Sequence, residues 1–144
     1  MKLRDELVEI ALKWEKAYSV APSITSAVSE YDAAMLVGCD DADYCRIMNG
    51  RTAVSRGADF VWQNIHYQIK ANRPSGKLGS RVTLVSKPKN YEWDVLLWLL
   101  YDEKFKLLEA WEWKRDDFIA AFDTRKRLSP TELRKGAKAY GGDV

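Results

Sequence analysis

The segment from Ile65 to Ala71 constrains the fold of this chain most strongly, because its residues alternate strictly between apolar and polar. The apolar set is Ile65, Tyr67, Ile69 and Ala71, and the polar set is His66, Gln68 and Lys70. Successive side chains of a β-strand point to opposite faces, so this pattern predicts a strand with one face on a core. A short β-branched and aromatic run from Ala58 to Trp62 precedes it, and together the two runs predict a hairpin.

The turn of this hairpin sets which residues face one another. If Gln63 and Asn64 form a two-residue turn, Trp62 pairs with Ile65. Counting outward from that pair, Asp59 lies opposite Gln68, and cross-strand partners share a face. One small surface would then carry Asp59, Gln68 and Lys70.

These three residue types suit phosphodiester chemistry. A carboxylate and an amide oxygen can hold a hard cation such as Mg²⁺, which takes oxygen ligands. A lysine beside the ion can orient an attacking water and offset the charge of a phosphate. The alternative interpretation is a surface hairpin whose polar side chains are merely solvated.

An aspartate followed by a strand with [Asp/Glu/Gln]-x-Lys resembles the active-site signature of the PD-(D/E)XK nucleases, the restriction-endonuclease-like superfamily. The match lies in Asp59 and in Gln68-Ile69-Lys70, and the wider resemblance covers roughly residues 29 to 113. It implies that Asp59 and Gln68 bind Mg²⁺, with Mn²⁺ as a substitute, and that Lys70 takes part in catalysis. Gln68 stands where an acidic residue is commoner, which removes one negative ligand.

Glu30 is the candidate that would restore this charge. It lies on a helix predicted from Ile24 to Val37, with Ser23 as its cap and Gly38 at its end. Its neighbours one turn away are all small, so its carboxylate can approach whatever the helix packs against. Many members of the superfamily carry a metal-site glutamate on the helix before the catalytic sheet, and the resemblance therefore implies that Glu30 is a catalytic residue and a third metal ligand. An exposed helical glutamate is the other interpretation.

A segment rich in Gly, Pro and Ser follows the hairpin and carries Arg73, Lys77 and Arg81. A basic loop beside a metal site could lie against a phosphate backbone, so these three residues are the predicted DNA contacts. The segment lacks the spacing of a P-loop. A solvated linker is the competing interpretation.

Composition narrows the class of protein. The chain has 144 residues and a net charge of +2, which suits one domain spanning residues 1–144 and permits nucleic-acid binding without arguing for it. No apolar run is long enough to span a bilayer, and the two cysteines and single histidine cannot form a zinc set. We expect a cytoplasmic protein without membrane contact or organic cofactor.

The remaining patterns complete an α/β prediction. An amphipathic helix is expected over residues 2–18, with Leu3, Leu7, Ile10 and Trp14 on the core. The other expected elements are a polar loop at 39–56, a short strand at 82–85, apolar strands at 93–101 and 105–113, a helix at 115–122, and a last helix from a capping box at Ser129 to about Tyr140. The predicted architecture is restriction endonuclease-like, with a central mixed β-sheet of about four strands flanked by helices.

Three functions follow in order of preference. The first is a Mg²⁺-dependent endonuclease that hydrolyses phosphodiester bonds in DNA. The second is a non-catalytic nucleic-acid-binding module on the same fold, and the third is a protein-interaction module without a nucleic-acid role. A homodimer would suit an enzyme that cuts both strands, although no pattern in the sequence indicates an interface.

Overall fold

The centre of the molecule is a mixed β-sheet. In the computed structural model, which describes residues 1–50 and 57–142, the sheet has five strands in chain order: β1 (Phe60–Trp62), β2 (Ile65–Asn72), β3 (Val95–Tyr101), β4 (Leu107–Lys114) and β5 (Ala137–Gly141). Strands β2 and β3 are parallel, and the other neighbours are antiparallel. The α/β prediction is confirmed, and the sheet has one strand more than the four expected.

The hairpin of β1 and β2 has the predicted register. Trp62 pairs with Ile65 and Phe60 with Tyr67. Gln63 and Asn64 form the turn with φ of 51° and 65°. Positive φ at both central residues is what a type I′ turn requires, and asparagine tolerates it better than most residues.

Strand β3 separates two apolar cores. Leu97 and Leu99 face one core and Leu96 and Trp98 the other, and all four are fully buried. The nearly continuous apolar sequence from Val95 to Tyr101 is explained by burial of both faces.

Helices cover both faces of the sheet. The first core lies under α1 (Leu3–Tyr18), α2 (Thr25–Leu36) and α3 (Asp41–Asn49). The second lies under α4 (Arg115–Phe122), α5 (Pro130–Leu133) and the segment around Val85 and Trp93. The tryptophans of β3 and β4 belong to the core, since Trp98, Trp111 and Trp113 are all buried.

Helix α1 has the predicted extent but not the predicted buried face. Its buried side chains are Val8 and Ala11, while Leu3 and Ile10 are 79% and 62% exposed. Small side chains let the helix axis approach its neighbours closely, so the Val8–Ala11 side packs and the stripe of larger residues faces outward.

Two segments differ from their predicted secondary structure: part of a predicted loop is helical, and part of a predicted helix is a strand. Residues 41–49 of the predicted loop form α3, because the Asp40 side chain accepts a hydrogen bond from the N–H of Asp43 and so caps the helix. Residues 51–56 of that loop lie outside the described part of the chain. The helix predicted to reach Tyr140 ends at Leu133, although its capping box at Ser129 is present, and β5 follows.

Two smaller predictions are wrong. The strand expected at 82–85 is a single bridge between Val85 and Leu128. The N-cap of α2 is Ile24 rather than Ser23, and its side chain makes no capping hydrogen bond.

Among the helices of the described residues, none is long and apolar enough to cross a membrane.

Candidate active-site cleft

Asp59 lies just before β1 and holds the hairpin together through its side chain. Its Oδ2 accepts hydrogen bonds from the backbone N–H of Ile69 at 2.7 Å and from Nε2 of Gln68 at 3.1 Å. Its own N–H donates to the carbonyl of Tyr67 at 2.8 Å. The predicted shared face of Asp59 and Gln68 is therefore a direct contact.

This contact also fixes the orientation of the Gln68 amide. An ionised carboxylate only accepts hydrogen bonds, so the amide nitrogen must point toward Asp59. The amide oxygen then points away from Asp59. Among the described residues, neither this oxygen nor Oδ1 of Asp59 has a hydrogen-bond partner.

Lys70 and Glu30 line one cleft, although Lys70 belongs to strand β2 and Glu30 to the neighbouring helix α2. The cleft has a volume of about 190 Å³. Its other lining residues are Thr25, Ser26, Ser29, Ile69, Ala71 and Ser86. Asp59 and Gln68 do not line it, but Asp59 is bonded to the backbone of Ile69, which does.

The short length of β1 explains how these groups meet. Strand β1 begins at Phe60, which pairs with Tyr67, whereas β2 continues to Asn72. No strand of the described residues pairs with β2 on this side beyond Tyr67, so this part of β2 is an edge of the described sheet. Around such an edge, side chains from both faces of the sheet can reach one cleft.

Helix α2 brings Glu30 to this edge because the face that it turns to the sheet is small. Ser29, Ala33 and Ala34 are buried against the first core, with Ser29 only 2% exposed. The Ser29 hydroxyl donates to the carbonyl of Ser26 at 3.1 Å. The neighbouring Glu30 is half-buried and lines the cleft.

The side-chain oxygens of Asp59 and Gln68 are of the type that binds a hard cation, but they are few. Mg²⁺ commonly keeps several waters and is held by one or two carboxylates, and the oxygens of Asp59 and Gln68 are ligands of this kind. Across the residues that the structure describes, no group of three or more His, Cys, Asp and Glu side chains is arranged to hold a metal ion.

Arg73, the first predicted DNA contact, is held inside the protein. Its guanidinium donates to both carboxylate oxygens of Glu15, at 2.8 and 3.2 Å, and to the carbonyl of Glu103. It also stacks over the ring of Phe105 at 4.3 Å, and its side chain is only 8% exposed. These contacts fasten the loop to α1 and leave little of the charge for a phosphate.

Lys77 and Arg81 are exposed, as a contact to a nucleic acid requires. Within the described residues, neither side chain makes a hydrogen bond or an ion pair. They lie on the same loop as Arg73 and between it and Ser86 of the cleft. Two of the three predicted basic contacts are thus presented to solvent.

His66, at the other end of the polar face of β2, has a different partner. Oδ2 of Asp94 accepts from the backbone N–H of His66 at 2.8 Å and lies 3.3 Å from its Nδ1. The backbone hydrogen bond, aided by the ring, lowers the pKa of Asp94 below its usual value. This pair fixes the start of β3 against β2 and is not part of the cleft.

The serine residues that line the cleft were not among the predicted site residues. Ser26 and Ser29 are three residues apart on α2 and so face the same side, which is a recognisable signal. Ser86 comes from the long connection between β2 and β3, and no local pattern connects it with α2.

Compared with models of known families and with curated proteins, the sequence has no match.

Proposed function

We propose that the chain is a metal-dependent nuclease that hydrolyses phosphodiester bonds in DNA, on a fold of the restriction endonuclease-like kind. The observation that carries this proposal is the contact of Asp59 with Gln68 and Ile69 directly beside the cleft of Lys70 and Glu30. Asp59 thereby contacts Ile69, a residue that lines the cleft together with Lys70 and Glu30.

Each residue has a distinct role in the proposal. Asp59 and Gln68 would hold Mg²⁺ or Mn²⁺ through side-chain oxygens, and Glu30 would add negative charge from α2. When bound, the metal supplies Lewis acidity to the phosphoryl group. Lys70 would orient the attacking water and offset the charge that develops on the phosphate.

The cleft has further features that favour an anion. Thr25 and Ser26 belong to the first turn of α2, whose N-terminus has no side-chain cap. N–H groups at a helix N-terminus attract negative charge. Because Lys70 lines the same cleft, this turn and the lysine could together bind a phosphate oxygen near the proposed metal ligands.

Asp59→Asn tests the proposal with little change to the fold, because asparagine can still accept from the N–H of Ile69. Wild-type protein and this variant are incubated with supercoiled, linear and branched DNA in Mg²⁺, Mn²⁺ or chelator. We expect metal-dependent cutting by the wild type and a loss of about 100-fold or more in the variant, the scale of one lost electrostatic contact in a transition state.

Equal cutting by the wild type and Asp59→Asn would refute the assignment of Asp59. Thermal unfolding of both proteins serves as the folding control. Lys106→Ala is the matched surface variant. Lys106 is exposed and lies in the turn between β3 and β4, on the side of β3 away from β2, so this variant should cut DNA at the wild-type rate.

A non-catalytic nucleic-acid-binding module is the second candidate. Lys77 and Arg81, exposed on their loop, are the observation that favours it. It predicts DNA binding that weakens steeply with salt and is indifferent to divalent metal. Binding of this kind without cutting of any substrate would select it over the nuclease.

A further inference from the structure

The outward face of α1 is an apolar stripe. Its members are Leu3, Leu7, Ile10, Trp14 and Tyr18, with exposed fractions of 38–79%. Trp14 and Tyr18 pack edge to face on this surface, with ring centroids 4.8 Å apart. Single exposed apolar residues need no explanation, but a continuous stripe of five marks an interaction surface.

The spacing of the stripe is that of a two-helix seam. Leu3, Leu7, Ile10 and Trp14 follow one another at steps of four, three and four residues, the a and d positions of a heptad. The inner face of α1 is used within the chain, through Val8 and Ala11. The seam is therefore a second apolar face that the described fold leaves uncovered.

The charges beside the seam are self-complementary when two copies run antiparallel. Glu6 and Lys13 occupy successive g positions on the solvent side, and g positions face each other in such a pair. With Leu7 opposite Ile10 of the second copy, Glu6 lies near Lys13 of the second copy, and the two-fold axis repeats the contact. Lys13 now reaches Glu9 of its own helix at 3.3 Å and is 75% exposed, so it is free to turn.

The available area also suits a second copy. At about 150–250 Å² for a fully exposed large side chain, the stripe offers on the order of 500 Å². Beside Leu3 and Leu7 lies an apolar groove of about 350 Å³, lined further by Ala27, Tyr31 and Met48. Trp14 of the second copy falls opposite Leu3, next to this groove, and brings the total toward the roughly 800 Å² per partner of a stable interface.

We infer that the protein forms a two-fold symmetric dimer through antiparallel pairing of α1 with α1 of a second copy. The inference is independent of the proposed nuclease activity. The dimer buries the seam and sets two Glu6–Lys13 pairs along its solvent side.

Sedimentation equilibrium over a wide range of protein concentration tests the inference. Ile10→Glu places a charge at the centre of the seam without touching the core of the monomer, since Ile10 is largely exposed. We expect the dissociation constant of the dimer to rise by more than about tenfold. Two apolar contacts are lost at once, because the symmetry repeats the substitution in both copies. Leu78→Glu is the matched control on a fully exposed leucine outside the seam, and it should dimerise as the wild type does.

The charge pairs give a second, orientation-specific test. Glu6→Lys alone should weaken the dimer, and Glu6→Lys combined with Lys13→Glu should restore it. A wild type that is monomeric at every concentration, or a dimer that Ile10→Glu leaves intact, would overturn the inference. A dimer that the double swap fails to restore would overturn the antiparallel pairing.

Discussion

At the scale of single residues, the molecule uses similar side chains for opposite purposes. Oδ2 of Asp59 binds groups of its own hairpin, whereas Asp32 binds side chains from distant parts of the chain. Arg4 donates to both oxygens of Asp32, and the hydroxyl of Tyr101 donates to Oδ2 at 2.6 Å. Burial, with the charge of Asp32 beside it, raises the pKa of Tyr101. Partners at a distance in sequence decide between these roles.

Arg73 supplies a stability prediction at this scale. Arg73→Ala leaves Glu15 and the carbonyl of Glu103 without their donor and removes the stacking on Phe105. We expect a loss of about 1–3 kcal/mol in the free energy of unfolding. Urea denaturation measures it, with exposed Arg81→Ala as control, which should stay within about 0.5 kcal/mol of the wild type. Equal stability of both variants would show that the Arg73 contacts contribute little.

The same ion pair predicts a dependence on pH. The hydrogen bond from Arg73 lowers the pKa of Glu15 below its ordinary 4.5. A carboxylate whose pKa is lowered by folding contributes stability above its unfolded pKa and loses it as the pH falls through the folded value. The stability difference between wild type and Glu15→Gln should therefore be full above pH 4.5 and shrink below it. Denaturation at a series of pH values measures the difference, and a gap that persists in acid would contradict the assignment.

At the scale of elements, the hairpin shows what local sequence can determine. The alternation from Ile65 to Ala71 and the two-residue turn predicted the register, because both depend on neighbours in the chain. The turn itself is not optimal, since Gln63 has φ of 51° and lacks the tolerance of glycine or asparagine for that region.

The turn can therefore be improved. Replacing Gln63-Asn64 by Asn-Gly should raise the free energy of unfolding by about 0.5–1 kcal/mol, because both residues then suit positive φ. Asn64→Ala, which forces a Cβ-bearing residue without a helpful side chain into φ of 65°, should lower it. Urea midpoints of the three proteins measure the order. Any other order would mean that the turn does not limit the stability of the hairpin.

Helix α1 shows where local sequence fails. It carries two apolar stripes, one of large residues through Ile10 and one of smaller residues through Val8 and Ala11. Periodicity identifies both stripes but cannot rank them, because the choice depends on how closely the helix must approach the rest of the core. Strand β5, which was predicted as helix, likewise depends on tertiary contacts. Any side chain at Gly136 would meet the ring of Trp113 and the carbonyl of Glu112, contacts that no local pattern reveals.

At the scale of the whole molecule, the candidate site depends on the edge of the described sheet formed by β2 beyond Tyr67. The sheet is covered by helices on both faces, and the early end of β1 opens β2 beside α2. Sequence reasoning could identify Asp59, Gln68 and Lys70 as a group because they belong to one hairpin. Bringing Glu30 and Ser86 to the same edge requires the tertiary fold, and so does the withdrawal of Arg73 from the solvent.

The most direct test of the nuclease proposal is the rate of metal-dependent cleavage of supercoiled DNA by Lys70→Ala beside the wild type. Lys70 lines the cleft, and its removal leaves the hydrogen bonds of Asp59 in place. The account predicts that the wild type cuts in Mg²⁺ or Mn²⁺ but not in chelator, and that Lys70→Ala is slower by about 100-fold or more. Wild-type protein that cuts no DNA in either metal, or a Lys70→Ala variant that cuts at the wild-type rate, would contradict it.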